Sequence, residues 1–328
     1  MVKRLMTYII AGAVSMAAQA ETKGVKTVLH KADSMLTANY MRASFDTNYI
    51  SRPQTKWTLT GRLNFSGMRI RSEGMLEGRQ WFKTKMDADY KTTVSVGASY
   101  MGLGMNLSLN PAKLAGKYHD FELNLTKYGN SWGGEMSYQD AKNFRGWMEK
   151  DGEGERDLAT DNMRVRTLNV NFYYAFNHKR FSYPAAFTQT YIQRRSAGSL
   201  LLAVSYQGQW GNAEGDGHTL SLRQNNIGIG AGYGYNCVPT EKWLLHISAL
   251  PTFMVYSKAS TTMDDYRTPI SYRFPQVIIT GRGAVIRSFK TNFVGLSMVF
   301  NFTNVGNSQT LDIKNVRWLV RAFYGVRL

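Results

Sequence analysis

The chain has 328 residues, of which 13% are aromatic and 30 are glycine, and its formal net charge is +17 at pH 7. This length allows one large barrel or two ordinary domains, and the absence of an apolar run of about 18 residues after the N-terminus argues against a helical membrane protein. The basic residues are scattered and form no basic helix, finger or RNA-binding motif, so we expect anionic lipid headgroups or anionic solutes as partners and no nucleic acid.

The first 20 residues have the pattern of a secretory signal peptide. A basic start at residues 1–4 precedes an apolar stretch at residues 5–16 and the small-x-small site Ala18-Gln19-Ala20. The apolar stretch is too short to anchor the chain across a membrane. We therefore predict an exported protein that is cleaved after the small-x-small site; a buried N-terminal helix is the alternative.

Residues 21–54 show no sustained period, and we expect a short periplasmic lead-in with helical character around residues 31–41. From Trp57 onward, apolar residues recur at every second position. Successive side chains of a strand point to opposite faces, so this period predicts strands with one apolar and one polar face. Such stretches lie near residues 57–66, 93–100, 121–126, 132–139, 168–176, 200–206, 227–235, 245–249, 277–285 and 294–302.

The final stretch, residues 315–328, shows the same alternation most clearly. One parity carries apolar and aromatic residues, and the other carries Arg317, Arg321, Gly325 and Arg327. About 9–11 residues cross a bilayer as a tilted strand, and a terminal strand must pair with the first strand to close a barrel. The sequence therefore predicts an all-β fold, a transmembrane antiparallel up-and-down β-barrel over residues 55–328.

The number of strands follows from their parity. Outer-membrane barrels have short periplasmic turns, long outer loops and both termini inside. Counting a weak strand at residues 78–87 and treating residues 178–196 as a connector gives about twelve strands, with ten to fourteen possible. Four polar segments then all fall on the outer side as loops, at residues 143–162, 211–218, 257–272 and 304–312.

Five arginines fall on the polar parity of their strands: Arg62, Arg282, Arg317, Arg321 and Arg327. A charge on the lipid face near the bilayer midplane costs about 2–4 kcal/mol, so we expect these side chains to face the lumen. Two interpretations remain open. The arginines line a cationic passage that favours anionic solutes, or they pair with Glu122, Glu135 and their neighbours in a packed interior.

Residues 178–199 break the alternation, because Pro184 lies in the middle of the run and proline is confined to the edges, starts and bulges of strands. One interpretation is a periplasmic turn with a bulged strand start. In the other, the segment folds inward and constricts the lumen. The side chains that would then line the constriction are Tyr183, Gln189, Gln193, Arg194 and Arg195.

The same segment carries a family resemblance. The run FSYPAAF at residues 181–187, followed by SAGS at residues 196–199, resembles an uncharacterised family of predicted outer-membrane barrels from Bacteroides-type bacteria, a domain of unknown function. The Asn110-Pro111 turn and the Tyr-Gly-Val-Arg ending before Leu328 also resemble it, so the resemblance covers essentially the mature chain. It implies a barrel and no known activity. Leu328 departs from the terminal aromatic residue that the barrel-assembly machinery usually recognises.

One short motif has catalytic potential. His246 and Ser248 fall on one face of a strand, as in barrel lipid-acyl hydrolases, where an imidazole takes the proton of a serine hydroxyl. Here Ile247 and its apolar neighbours take the lipid parity, so we expect the pair to fill the lumen; a catalytic dyad is the alternative. The single cysteine, Cys237, excludes an internal disulfide, and the histidines show no ligand spacing, so we predict no metal and no cofactor.

These observations predict an outer-membrane barrel with a narrow, anion-conducting or structural role. Its expected surroundings are outer-membrane lipid, lipopolysaccharide and the barrel-assembly machinery. Two alternatives remain. The first is an acyl hydrolase that acts through His246 and Ser248, and the second is a soluble, secreted β-sandwich that binds glycans or proteins.

Overall fold

The structure, a computed structural model, describes residues 23–42, 44–76, 80–88, 90–109, 122–152, 154–215, 218–263, 266–270, 274, 276–307 and 311–328. The predicted signal peptide lies outside these residues. The chain divides into a first unit that ends at Ala43 and a second unit, Ser44–Leu328. The first unit contains the helix α1 (Lys23–Arg42), which includes the stretch expected to be helical. None of the helices in the described ranges is long and apolar enough to cross a membrane.

The second unit contains the strands and one further short helix, α2 (Pro184–Phe187). The strands in the described residues are β1 (Ile50–Ser51), β2 (Trp57–Leu76), β3 (Gln80–Ala88), β4 (Lys91–Tyr100), β5 (Leu103–Leu109), β6 (Glu122–Tyr128), β7 (Trp132–Lys150), β8 (Glu155–Ala175), β9 (Ile192–Gln193), β10 (Ala197–Gly215), β11 (His218–Thr240), β12 (Trp243–Met263), β13 (Tyr266–Ile270), β14 (Val277–Ser288), β15 (Asn292–Asn307) and β16 (Leu311–Arg327).

Twelve of these strands form a closed antiparallel barrel, in the order β2, β4, β5, β6, β7, β8, β10, β11, β12, β14, β15 and β16. The barrel closes where β16 pairs with β2, from Leu311 opposite Gly74 to Arg327 opposite Thr58. The predicted all-β class, antiparallel barrel and strand number are confirmed. A sandwich of two stacked sheets, the soluble alternative, is wrong, since a single sheet closes on itself.

One member of the predicted set of strands differs from expectation. The weak strand expected at residues 78–87 is β3, which pairs with β2 and β7 beyond the ends of the β5–β6 hairpin and is not one of the twelve. Strand β5 takes that place in the wall, between β4 and β6. The glycines flanking Leu103 concealed this strand, because they weaken its alternation.

The four polar segments expected as outer loops are largely strand. Strands β7 and β8 pair as far as Glu149 opposite Glu155, β10 and β11 as far as Gly215 opposite His218, and β15 and β16 as far as Asn307 opposite Leu311. Strand β12 likewise continues into β13 through pairing at Met263. The loop prediction was wrong because polar side chains do not interrupt backbone pairing when both faces of a hairpin are exposed.

The outer face of the barrel carries a continuous apolar belt. Ile247 is 70% exposed, and many other apolar side chains of the outward parity are exposed with it, among them Leu59, Leu63, Val94, Val96, Leu200, Leu202, Ile227, Ile229, Leu245 and Leu296. At the end of the barrel where β2 begins and β16 ends, which we call the terminal end, exposed aromatic side chains border this belt: Trp57, Trp132, Tyr174, Tyr235, Trp243 and Tyr324. Monomeric soluble proteins rarely expose apolar area of this extent.

The connection between β8 and β10 folds into the lumen at the terminal end. We call residues 176–196 the plug; it contains α2 and also β9, which pairs with β1. Pro184 occupies the start of α2, where its fixed φ fits the helix and its missing N–H costs nothing. The proline therefore lies in a helix inside the barrel rather than in a bulged strand or a surface turn.

Candidate functional site: the lumen of the barrel

The plug packs as a small core within the terminal end. Phe181 is fully buried, and Tyr183 is nearly so. They pack with Tyr128, Ala175 and Leu201 of the wall. The wall leaves room for them because the inward positions of β11 are glycines: a Cβ on Gly234 would lie 3.0 Å from Cζ of Phe181. Gly234, the last glycine of the run on this face of β11, thus leaves space for the plug, whereas a Cβ on the other three would meet β10 or β12.

Two buried amides join the plug to the wall. Asn236 of β11 donates from Nδ2 to the carbonyl oxygen of Ser182 at 2.8 Å and to Oε1 of Gln193 at 3.0 Å. Gln193 Oε1 also accepts a hydrogen bond from the backbone N–H of Ser182 at 2.8 Å, and its Nε2 donates to the carbonyl oxygen of Arg180 at 2.6 Å. The two bonds from Asn236 hold the plug against the wall, and the bonds of Gln193 fix the turn at residues 180–182 within the plug.

His246 and Ser248 extend this network along β12. Both side chains are buried and face inward, with 3.0 Å between His246 Nε2 and Ser248 Oγ and 2.6 Å between His246 Nδ1 and Asn236 Oδ1. A serine, an imidazole and an amide in this order resemble a nucleophile with its base. The imidazole is covered, however, because the rings of Tyr183 and Phe187 lie 5.4 and 4.9 Å from it. The arrangement therefore serves to attach the plug.

Tyr183 links this network to the open part of the lumen. It lies outside the barrel strands, and its phenol hydrogen-bonds with Ser248. Burial raises the pKa of the Tyr183 phenol, although the nearby Arg282 and the bond with Ser248 act in the opposite direction. The hydroxyl consequently stays neutral and brings no negative charge to the lumen.

The residues predicted to line a constriction separate into two groups. Tyr183, Gln189 and Gln193 are buried in the plug, and Gln189 Oε1 accepts a hydrogen bond from Arg327 Nη2 at 3.3 Å. Arg194 and Arg195 are exposed instead: Arg194 Nη1 lies 3.4 Å from the carbonyl oxygen of Thr47, and the Arg195 guanidinium lies 6.0 Å from the ring of Tyr49. These two arginines do not face the lumen, since β9 pairs with β1 and holds them against the segment before β2.

Beyond the plug lies a cavity of about 170 Å³. Four of the five predicted arginines line it, namely Arg62, Arg282, Arg317 and Arg321, together with Glu122 and Glu135. Four arginines and two glutamates leave a net charge of +2 on the charged lining residues. The fifth, Arg327, is buried closer to the terminal end, where its guanidinium lies 4.9 Å from the ring of Phe293 and contacts Gln189.

Arg282 is neutralised by a carboxylate. Its Nη1 lies 3.0 Å from Oε2 of Glu135, and its Nη2 contacts Oε1. Glu135 also accepts hydrogen bonds from Tyr128 Oη at 2.8 Å and Asn171 Nδ2 at 3.2 Å. This bidentate pair with its additional donors is the packed, salt-bridged interior that one of the two interpretations anticipates.

The other three cavity arginines fit the other interpretation, a cationic passage. In the described ranges, no carboxylate lies within the 4.0 Å of an ion pair from Arg62, Arg317 or Arg321. Arg321 has a neutral partner, since its Nε donates to Asn64 Oδ1 at 3.0 Å. Glu122 accepts a hydrogen bond from Asn124 at 3.0 Å instead. The lumen therefore contains both a neutralised and an un-neutralised set of arginines.

Two buried apolar clusters, which we call the apolar layer, lie on the wall next to the cavity on the side away from the plug. Ile70 and Val165 are buried there with Ala88, and Met254, Ile278 and Val305 form a second buried cluster. Four of these residues lie farther from the terminal end than the cavity residues of their own strands, namely Ile70, Val165, Met254 and Val305, and Ile278 lines the cavity itself. The cavity is thus bounded by the plug at one end and by apolar side chains at the other.

Sequence reasoning missed Asn236 and this apolar layer. Asn236 lies on the inward face of β11, directly after four inward glycines. A polar side chain at the end of such a glycine series could have indicated a contact with another segment of the chain. The apolar layer had no such signal, because inward apolar residues such as Ile70 lie in stretches whose outward residues are charged.

Three solved barrels resemble the structure, all at low identity. They are the outer-membrane protease OmpT from Escherichia coli (8% identity, TM-score 0.46, 85% of this chain and 98% of that one), the transport unit of the autotransporter AIDA-I from Escherichia coli (12%, 0.33, 89% and 97%) and the outer-membrane protein OprG from Pseudomonas aeruginosa (11%, 0.31, 84% and 97%). These scores are too low to carry an inference about function. No curated protein matches the sequence.

A family model covers the whole second unit. It is described as a domain of unknown function (DUF4421), and it matches residues 44–328, which comprise the plug, the barrel and the segment before β2. The family resemblance expected from the plug segment is therefore confirmed at this level. The chain belongs to the DUF4421 family.

Proposed function

We propose that the protein is an outer-membrane barrel that forms a narrow, plugged pore with a preference for small anions. The observation that carries this proposal is the cavity, in which the charged lining residues leave a net charge of +2 and three arginines lack a carboxylate partner within the described residues. A ring of fixed positive charge in a low-dielectric passage attracts anions and repels cations. A barrel with a purely structural role has no need of un-neutralised arginines in its interior.

The proposed location rests on the outer surface. An apolar belt bordered by aromatic side chains matches the hydrocarbon core and interfaces of a bilayer, and inward arginines avoid the cost of a charge against lipid. We expect outer-membrane lipid and lipopolysaccharide to contact this belt, after export through the signal peptide at residues 1–20 and insertion by the barrel-assembly machinery. The Bacteroides-type origin is part of the same expectation and rests on the plug segment.

The acyl-hydrolase alternative has less support. His246 and Ser248 have the hydrogen-bond geometry of a nucleophile and its base, but the rings of the plug cover the imidazole, and the pair faces away from the lipid where an acyl chain would lie. An esterase assay comparing Ser248→Ala with the parent protein tests it, and we expect no difference.

Conductance of the mature protein in planar lipid bilayers tests the pore directly. We expect small currents, because the plug occupies the terminal end, and a reversal potential in a potassium chloride gradient that indicates chloride preference. The double variant Asn236→Ala/Gln193→Ala removes the bonds that hold the plug and should conduct more. Asn212→Ala, at an exposed position on β10, is the matched control and should behave like the parent protein.

Two results would contradict the proposal. If both the parent protein and the double variant are silent, the barrel is not a pore, whatever its fold. If the currents favour potassium, the lumen is a pore but its arginines do not determine selectivity.

A further inference from the structure

We infer that Arg62, Arg317 and Arg321 form a binding site for one multivalent oxyanion, of the class of inorganic phosphate or a phosphate monoester. The inference rests on the proposed function, since it assigns a ligand class to the same cavity, but it makes a stronger claim. A cationic passage only concentrates anions, whereas a binding site holds one anion with defined contacts and saturates.

The registry of β2 and β16 brings the three arginines to one part of the wall. Arg321 lies opposite Asn64, and Arg62 lies opposite Phe323, so Arg62 and Arg321 are diagonal neighbours on the inward face. Arg317 lies on the same face of β16, four residues from Arg321. All three line the one cavity, so their guanidinium groups converge on a shared space.

In the part of the chain that the structure describes, the three arginines form no ion pair with the two glutamates that line the cavity, so their charges are available to a ligand. Glu135 makes a bidentate pair with Arg282 and accepts two further hydrogen bonds, which occupy its oxygens. Glu122 accepts a hydrogen bond from Asn124, two residues farther along β6. Arg62, Arg317 and Arg321 carry three positive charges on one part of the wall and Glu122 offsets only one of them, so a bound ion with two or more negative charges balances the remainder more fully than one chloride does.

The donors also suit an oxyanion. A guanidinium presents its N–H groups in a planar fork that matches two oxygens of a phosphate or carboxylate, and such charge-assisted bonds are the strong ones. The bond from Arg321 Nε to Asn64 fixes the orientation of that fork. Within the described residues, no acceptor bonds to its two terminal nitrogens, which are therefore directed to a ligand.

The boundaries of the cavity limit the size of the ligand. The plug occupies one end and the apolar layer flanks the other, and a volume of about 170 Å³ accepts a small ion or a short monoester rather than a polymer. An apolar boundary also excludes competing water from one side of the site, which strengthens the contacts to a bound charge.

Isothermal titration calorimetry on the refolded mature protein in detergent tests the site, with inorganic phosphate, glycerol phosphate and chloride as separate titrants at constant ionic strength. We expect saturable binding of a phosphate-bearing titrant with a stoichiometry of one, and no saturable binding of chloride. Arg317→Gln and Arg321→Gln should each weaken this binding by about tenfold or more, because each removes a charge-assisted hydrogen bond. Arg321→Lys keeps the positive charge but not the planar fork of donors. Its affinity for the phosphate titrant should lie between those of the parent protein and Arg321→Gln.

Arg71→Gln is the matched control. Arg71 is exposed on the outward parity of β2, so this change removes the same net charge without altering the lumen, and binding should be unchanged. The heat-dependent gel mobility typical of folded barrels verifies that each variant is folded. Binding by the monoester but not by inorganic phosphate supports the site and identifies the ester as the source of the phosphate group.

The inference is overturned if neither phosphate titrant binds, or if the glutamine variants bind as tightly as Arg71→Gln. These results are distinguishable from failure of the pore. Anion-selective currents without saturable binding would support the pore and contradict the binding site. Saturable binding in a protein that does not conduct would support the binding site and contradict the pore.

Discussion

Arg327 and Arg321 lie on the same inward face of β16, six residues apart, and their surroundings differ. Arg327 is buried at the plugged end, where it bonds to Gln189 and lies 4.9 Å from the ring of Phe293. Arg321 lies in the cavity, where its recorded hydrogen bond is to the neutral Asn64. The two arginines lie on the same face of one strand, yet Arg327 is packed in a buried core and Arg321 faces an open cavity with excess positive charge.

The comparison extends to the two regions as a whole. At the plugged end, buried amides bond to backbone groups and aromatic rings pack together, as expected of a buried region that contributes to stability, although the Ser182 hydroxyl has no hydrogen-bond partner among the described residues. In the cavity, positive charges exceed negative ones. Excess like charge costs stability, and its presence in a stable fold indicates a role outside stability. The experiments that follow exchange properties between the two regions or remove them.

Glu135→Gln should have the largest effect on stability. It removes the carboxylate that neutralises Arg282 and leaves a buried charge without compensation, which costs about 3–5 kcal/mol. Urea unfolding of the barrel in lipid vesicles measures the loss. The double variant Glu135→Gln/Arg282→Gln removes both charges and should recover most of it.

Glu73→Gln provides the control for this experiment. Glu73 pairs with Lys314 at 3.4 Å on a partly exposed surface, where an ion pair contributes about 0–1 kcal/mol. If Glu135→Gln costs no more than Glu73→Gln, the cavity tolerates unpaired charge freely and the contrast between the two regions disappears.

Ile247→Arg places an arginine on the opposite face of β12 from His246 and Ser248. Ile247 is 70% exposed in the apolar belt, and a charge at the midplane of a bilayer costs about 2–4 kcal/mol. The same unfolding measurement should show this loss in vesicles. Glu155→Arg, at an exposed position in the far hairpin, should change stability by about 0.5 kcal/mol or less. Equal behaviour of the two variants would mean that the belt does not contact lipid.

Asn236→Ala should loosen the plugged end alone. It removes the side-chain donor to the carbonyl of Ser182 and one of the two donors to Gln193 Oε1, at a cost of about 1–3 kcal/mol. Hydrogen exchange at residues 176–196 should accelerate, while exchange in the β15–β16 pair should not. Asn212→Ala is the control. Uniform acceleration throughout the barrel would show that the plug and the wall unfold together.

The sequence predicted the barrel well because alternation along a strand is a local property. The outward Trp318 and Tyr324 and the inward Arg317 and Arg321 follow directly from their parity, and closure of β16 on β2 follows from the position of the last stretch. The same local pattern failed at residues 143–162, where polar side chains on both faces indicated a loop although the backbones continue to pair.

The interior could be predicted only in part. The alternation along the strands predicted five inward arginines. It could not predict that Glu135 would form an ion pair with Arg282 alone among the four cavity arginines. That choice depends on which strands face each other across the lumen. Pro184 indicated a break in the pattern without indicating its direction. The fit of Phe181 against Gly234 determines that direction, and it joins residues far apart in the chain.

Arg62→Gln should have the smallest effect, and in the opposite direction. Without a bound oxyanion it removes a like charge from the diagonal neighbour of Arg321, and such cross-strand terms amount to about 0.2–1 kcal/mol, so the variant should be slightly more stable than the parent protein. The gain should shrink at high salt, which screens the repulsion. Arg71→Gln should show no gain. A destabilised Arg62→Gln would mean that Arg62 contributes to the fold as Arg327 does, and the cavity would then be an extension of the plugged end.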